Sequence, residues 1–361
     1  MLTLEEVVAP YSHIRLATKE DNEGILNFYK DIHMETGDEA LSFDRGSDFF
    51  KFYERKGNHF WTFLFLNEDL SICGVGTIVR HLRFIDGDYR PVAYFCDLRV
   101  SPQGGRRAKV QWRKCFADVI AALPKLAEDL RCEMAYTAIL SDNEKAIASL
   151  TKGGRGYNYR YINNYHVYSV VIPAVFNPTF FDVREIPFSD FSTFYTQEAH
   201  ELDLMEELDD QEGNAYYGVF DGSDLVSIFM IANRDLGRSY KLYNLKFAKK
   251  FLTNIVEMMG RPKVDNGILK TLEVQYLCFK SAMSNDTKKD IISAMIKYLK
   301  DSHLLSHYHI CNLYTGQDEI HFSPLIDGVV VESTGHMFEI HSDENQGLWP
   351  KRSFRFEGSL L

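Results

Sequence analysis

The stretch DLRVSPQGGRRAKVQWRKCF (97–116) joins a strand pattern to a helix start through a turn holding two glycines and two arginines. Such a turn can aim several backbone N–H groups at one anion, and the helix dipole adds to the attraction. Arg106, Arg107 and Lys109 supply countercharge suited to phosphates. The stretch lacks Gly-Lys-Ser/Thr and regularly spaced glycines, so it is neither a Walker loop nor a GxGxxG fingerprint. The same residues also fit a plain glycine loop before a solvated basic helix start. In GGRGYNYRYINNYHVY, alternation puts Tyr157, Tyr159 and Tyr161 on one strand face. There they would wall a pocket, stack on a cationic amine, or pack an interface as ordinary strand formers. The segment 198–212 holds eight carboxylates around a Leu202, Met205, Leu208 seam, the pattern of an acidic amphipathic helix. His303, His307 and His309 have metal-like spacing but no neighbouring carboxylate or cysteine motif, so no metal is expected.

The elements around these residues follow from periodicity. Ile14–Ala17 is a short strand; Thr18, with Asp21 three residues on, can cap a helix that presents Ile25, Phe28 and Tyr29 on one face. Strands over 60–66 and 71–84, joined by Asn67-Glu68-Asp69, form a hairpin, and 90–100 is a third long strand after Asp86-Gly87-Asp88. A helix over Ala108–Leu123, a strand over 134–140, a short helix over Asn143–Leu150 and a final strand complete the order. The order β-α-β-β-β-loop-α-β-α-β excludes a doubly wound nucleotide fold and fits an α/β (α+β) mixed sheet flanked by helices.

At 361 residues, two domains are expected. Pro173, Pro178 and Pro187 mark an extended connector, which places the boundary near residue 178 and gives domains 1–178 and 179–361. A net charge of -11 argues against a general nucleic-acid or anionic-membrane binder and favours cationic partners. The six cysteines are scattered without a CxxC pair, and the start MLTLEEVVAP has no secretory pattern, so a reducing, cytoplasmic setting is expected.

The second half repeats the element order. Arg184 and Asp190 are spaced like Arg15 and Asp21, and Asp224-Leu225 falls in a hairpin turn like Asp69-Leu70. TLEVQYLCF (271–279) parallels VAYFCDLRV, a helix over 290–300 parallels the one after the glycine turn, and YHICNLY (308–314) parallels MAYTAIL. This pattern suggests duplication.

On these residues the sequence resembles the GNAT superfamily of acyl-CoA-dependent N-acyltransferases. Members begin IRxATxxDxxxI, as Ile14 to Ile25 do here; their fourth strand often ends DLxVxP, as Asp97 to Pro102 do; NxxA matches Asn143 and Ala146. The resemblance covers residues 14–154 and implies a fourth strand splayed from the fifth by a bulge. It implies that acyl-CoA is held by Leu98, Arg99 and Val100, by the loop Gly105, Arg106, Arg107, Ala108, Lys109 and Val110, and by Asn143. The family's loop usually reads Q/R-x-x-G-x-G/A, where only Ala108 keeps the small residue, and Leu150 stands where many members carry a general-acid tyrosine. The second half has KSAMSNDTKKD after its matching strand, with no glycine and no anion cradle, so it resembles a degenerate copy that helps shape the acceptor pocket.

What the resemblance implies is transfer of an acetyl or other short acyl group from acyl-CoA to a primary amine, by direct attack on the thioester. N-acylation requires a neutral amine, so Asp97 is a candidate base through water, with a purely structural role as its alternative. His81 is a second candidate, and Tyr157 is the nearest substitute for the missing acid. Positioning alone can also supply much of the rate. A non-catalytic acyl-CoA-binding or interaction protein, and an aminoacyl- or peptide-forming relative, remain open.

Overall fold

In the computed structural model the described residues are 2–32, 34–36, 39–54, 59–153, 156–173, 180–199, 202, 204–210, 212–232, 239–243, 268–316, 326, 328–343 and 356. The first half runs α1 (Leu4–Val8), β1 (Ile14–Leu16), α2 (Asn22–Asp31), β2 (Met34–Thr36), β3 (Glu39–Asp44), α3 (Lys51–Glu54), β4 (His59–Leu66), β5 (Ile72–Ile85), β6 (Asp88–Val100), α4 (Arg106–Ala122), β7 (Met134–Leu140), α5 (Glu144–Leu150) and β8 (Tyr157–Pro173). The second runs β9 (Asp182–Glu185), α6 (Phe188–Ala199), β10 (Met205–Glu206), β11 (Ala215–Asp221), β12 (Asp224–Ile231), β13 (Ser239–Tyr243), β14 (Ile268–Phe279), α7 (Asn285–Asp301), β15 (Ile310–Gly316) and β16 (Gly328–Ser342).

One mixed sheet has the main order β1-β4-β5-β6-β7-β16-β8-β15-β14-β12-β11-β9. Only β6–β7 and β14–β15 are parallel along this path; helices cover both faces. Phe116, Val119 and Ile120 of α4 pack with Phe63, Phe95 and Ala135 on one face, while Ile25, Phe28 and Tyr29 of α2 pack with Leu64, Val75 and Val79 on the other. The expected cap at Thr18 forms with its partners as spaced. Thr18 N–H donates to Asp21 at 2.8 Å, and Arg15 grips the same carboxylate through two bonds of 2.7 and 2.6 Å. Its echo in the second half does not form this pair: Arg184 lies 3.9 Å over the Phe220 ring and 4.0 Å from Asp182.

The final strand of each half lies in the sheet of the other. β8 pairs with β15, β16 pairs with β7, and the two run antiparallel from Gly328–Pro173 to Ser342–Tyr157. The expected boundary near residue 178 lies outside the described residues. Val92, Tyr94 and Tyr136 share a core with Tyr165, Tyr314 and Met337, so the halves bury apolar surface against each other. Gly335 of β16 lets the wholly buried Tyr165 ring lie against the strand: an added Cβ would sit 2.1 Å from Tyr165 Cζ. Gly335→Ala is therefore expected to cost about 1–3 kcal/mol, read as a lower urea midpoint with unchanged slope. An unaltered midpoint would mean that the ring can move aside.

The acidic segment departs from the expected helix. Positions 200, 201, 203 and 211 lie outside the described residues, and Met205–Glu206 forms a short strand against Phe84 and Arg83 of β5. Buried Arg83 draws Glu206 into an ion pair at 2.5 Å, and Leu204 and Met205 are buried beside it. A buried cation thus outweighs local helix periodicity, because leaving it unpaired would be costly.

Candidate active site

The site begins at a break in β6. Opposite β5 the register passes from Val75–Arg99 to Thr77–Cys96, so β6 holds one extra residue across from Gly76. Asp97 takes up the bulge with φ +54°, a left-handed conformation that Asp tolerates better than most residues. The Asp97 carboxylate, buried to 9% side-chain exposure, is ion-paired with Arg45 and accepts from the Tyr53 hydroxyl. Tyr29 Oη–H donates to its carbonyl at 3.1 Å. The bulge is therefore pinned by three side chains from α2, α3 and the segment before α3.

Beyond it the sheet opens. β6 and β7 pair from Val92–Met134 to Phe95–Thr137, and that is where their pairing ends among the described residues, although β7 continues to Leu140. A cavity of about 380 Å³ fills the opening, within the range of small-molecule sites. Leu98, Trp112, Phe116 and Leu140 wall it from the first half; Thr271, Asn312 and Tyr314 wall it from the second.

Near this opening, α4 begins without a side-chain cap at Gly105. The preceding turn consumes its own donors. Gln103 N–H goes to Ser101 Oγ, Gly104 N–H to Ser101 O, and Gly105 N–H to Asn67 Oδ1 at 3.0 Å. The amides of Arg106, Arg107 and Ala108 occupy the first turn, where helix geometry leaves N–H groups without an intrahelical acceptor. Arg107 meets Glu68 at 3.2 Å on the exposed surface, a pair worth little, and Lys109 Nζ donates to Pro102 O.

No family model and no curated protein sequence matches this chain. Among solved structures it is similar to N-myristoyltransferase of Saccharomyces cerevisiae with bound myristoyl-CoA. That match has TM-score 0.58 and 10% identity, over 95% of this chain and 83% of that one. A second structure of that enzyme, with myristoyl-CoA and inhibitors, gives TM-score 0.56 and 10% identity over 97% and 87% of the two chains. A GCN5-related glucosamine N-acetyltransferase region in a fungal multi-domain GH3 β-N-acetylglucosaminidase gives 0.59 and 11%, over 90% of this chain and 38% of that one. The chain has the fold of these structures, the GNAT fold.

On this GNAT fold the expected cofactor residues do not meet in one hollow. Leu98, Arg99 and Asn143 line the cavity, while Val100 is half-buried opposite Gly74 on the α4 side. Asn143 caps α5 by accepting Ala146 N–H at 3.2 Å. Gly105, Arg106, Arg107, Ala108 and Val110 surround a separate cleft beside the β4–β5 turn. Ala108 is buried and Val110 exposed, so the small residue packs inward and the larger one faces solvent.

The expected acids and bases sit differently. Tyr157 is buried against the Phe116 ring, 4.9 Å between centroids, and is not among the described residues lining the cavity. Tyr159, two positions along the strand, lines it, as does Leu150. His81 is buried on β5 and is likewise not among the described lining residues. Cys96 does line the cavity, but burial pushes its thiol up to about 12, so it is a protonated thiol and a poor nucleophile at neutral pH. Arg45 and Tyr53 were not singled out from sequence, and Tyr29 only as part of an apolar helix face. They meet Asp97 only through chain separations of 52, 44 and 68 residues, and no local pattern marks them as its partners.

Proposed function

We propose that this protein transfers an acetyl or other short acyl group from acyl-CoA to a primary amine, with acyl-CoA held by the first half. The observation that carries this reading is the pinned bulge and splayed strand pair around one cavity, with an uncapped helix start at a separate cleft on the same half. In this reading the chain comprises an N-terminal GNAT domain, 1–178, and a degenerate C-terminal one, 179–361, that exchange their last strands. The backbone edge of Leu98–Val100 holds the pantetheine arm. The first-turn amides of Arg106, Arg107 and Ala108, with Lys109, take the pyrophosphate.

The lone pair of the neutral amine attacks the thioester carbon; a C–N bond forms and the C–S bond breaks. The nitrogen gives up one proton and CoA leaves as the thiol, so that the net transfer is one proton from nitrogen to sulfur. Backbone amides at the bulge polarise the carbonyl as negative charge develops. The protonated state of Cys96 supports direct attack over an acyl-enzyme on that thiol. Asp97, already ion-paired with Arg45, is assigned to shaping the bulge rather than to proton transfer. Tyr159 replaces Tyr157 as the phenol with access to the leaving sulfur. Acceptors are amines, with cationic ones favoured by the net charge of -11. No helix among the described residues is long and apolar enough to cross a membrane, and a cytoplasmic location is part of the proposal.

Purified protein should release CoA thiol from acetyl-CoA faster when a suitable amine is added. Myristoyl-CoA in a parallel series tests the acyl length, since similar structures hold that thioester. Leu150, in place of a phenol, favours a second reading: CoA binding without transfer. Binding with no turnover across a broad amine panel would establish that reading, and failure to bind any CoA thioester would exclude both.

A further inference from the structure

The parallel pairs β6–β7 and β14–β15 correspond position by position. Each has four paired positions, Val92–Phe95 with Met134–Thr137 and Thr271–Val274 with Ile310–Leu313, and each is followed two residues later by a left-handed non-glycine residue, Asp97 or Tyr276. At the third paired position the first half places Tyr94 against Tyr136, rings 4.9 Å apart. The second half places Glu273 against Asn312. Valine at the first position becomes Thr271, and the residue two beyond Asn312 is Tyr314 where the first half has Ala138.

These differences build a hydrogen-bonded carboxylate network where the other half packs two tyrosine rings. Glu273, 7% exposed, accepts from Thr271 Oγ1 at 2.6 Å and Asn312 Nδ2 at 3.2 Å through one oxygen, and from the Tyr314 hydroxyl through the other. Ser169 Oγ donates to Asn312 Oδ1 at 2.8 Å. All the donors named here are neutral. Thr271, Asn312, Tyr314 and Ser169 line the same cavity that reaches the β6 bulge. Tyr165 lines it too, wholly buried, and among the described residues its hydroxyl has no hydrogen-bond partner.

A buried carboxylate held by neutral donors is poorer for stability than apolar packing of similar volume. Glu273 is not among the described lining residues, so it acts on the cavity from behind Thr271, Asn312 and Tyr314, where a cation is attracted more than it would be across bulk water. We propose that this second-half wall is the acceptor subsite, and that it takes an amine bearing a second, cationic nitrogen: a short diamine. The ammonium is drawn to the Glu273 network, and the Tyr165 hydroxyl offers a further polar contact. The other nitrogen, neutral, faces the thioester at the bulge. This rests on the proposed transfer reaction, and it adds the chemical class of the acceptor.

The test compares diaminobutane, butylamine and aminobutanol as acceptors by thiol release from acetyl-CoA, in the intact chain and in Glu273→Gln. CoA titration of the variant reports that the fold and the first half are preserved. Diaminobutane should exceed butylamine in kcat/KM by about tenfold or more, and Glu273→Gln should remove most of that ratio. Equal use of the two amines, or a ratio unchanged by Glu273→Gln, overturns the subsite. A preference for aminobutanol would replace the cationic acceptor with a hydroxylated one and so also overturns it. If CoA binds but no amine turns over, the transfer reading fails by itself. Calorimetry of diaminobutane into the CoA-loaded chain then decides the subsite: binding lost in Glu273→Gln keeps it, and no binding in the intact chain overturns it.

Discussion

Calorimetric titration of CoA into the intact chain is expected to give one equivalent bound, and replacing both Arg106 and Arg107 with Glu should weaken it by on the order of 10–100-fold. The same reversal at Lys288 and Lys289 should change affinity little. The reason lies in the two helix starts. α4 begins at Gly105 without a side-chain cap, leaving its first-turn amides for an anion. α7 begins at Ser284, whose hydroxyl already accepts Thr287 N–H at 3.1 Å. Just before it, the Glu198 carboxylate accepts from both Ser281 N–H and Ser281 Oγ, at 2.6 and 2.7 Å. A pyrophosphate arriving there would meet a satisfied donor and a fixed negative charge. Two equivalents bound, or loss of binding only in the Lys288/Lys289 variant, would reverse the assignment of the halves.

Asp97→Asn should destabilise the chain by about 3–5 kcal/mol, measured by urea denaturation. Arg45 is only 6% exposed at its side chain, so removing the partner charge leaves a buried guanidinium without it. The bulge should loosen with it, lowering CoA affinity and turnover together while the pH profile of the remaining activity keeps its shape. The opposite pattern, full stability with turnover lost and its pH dependence flattened, would make Asp97 the general base. Measuring both quantities on one preparation separates the two roles.

Much of the element order was legible in the sequence. The strands expected over 60–66, 71–84 and 90–100 appear as His59–Leu66, Ile72–Ile85 and Asp88–Val100, and the strand over 134–140 has those bounds. Each is signalled within a few residues by alternation and by turn chemistry such as Asn67-Glu68-Asp69 and Asp86-Gly87-Asp88. The glycine turn and basic helix start were legible for the same reason, since a helix N-terminus is a local object. The resemblance to acyl-CoA N-acyltransferases rested on such short motifs, and the fold agrees with it.

What the sequence determined by itself was therefore most elements of the first half, a similar element order in the second, and a glycine turn leading into a basic helix start. Tertiary structure alone decided that β8 and β16 change places, because pairing between Tyr157 and Ser342 depends on edges offered by distant strands. It also decided that Asp97 is taken by Arg45 and Tyr53, that Tyr159 and not Tyr157 lines the cavity, and that Met205–Glu206 is drawn to Arg83 instead of forming a helix. A sequence pattern states which face or turn a residue favours within its own element. Which buried charge it must neutralise, or which cavity it reaches, is set by burial among partners far away in the chain, where the cost of an unpaired polar group exceeds local preference.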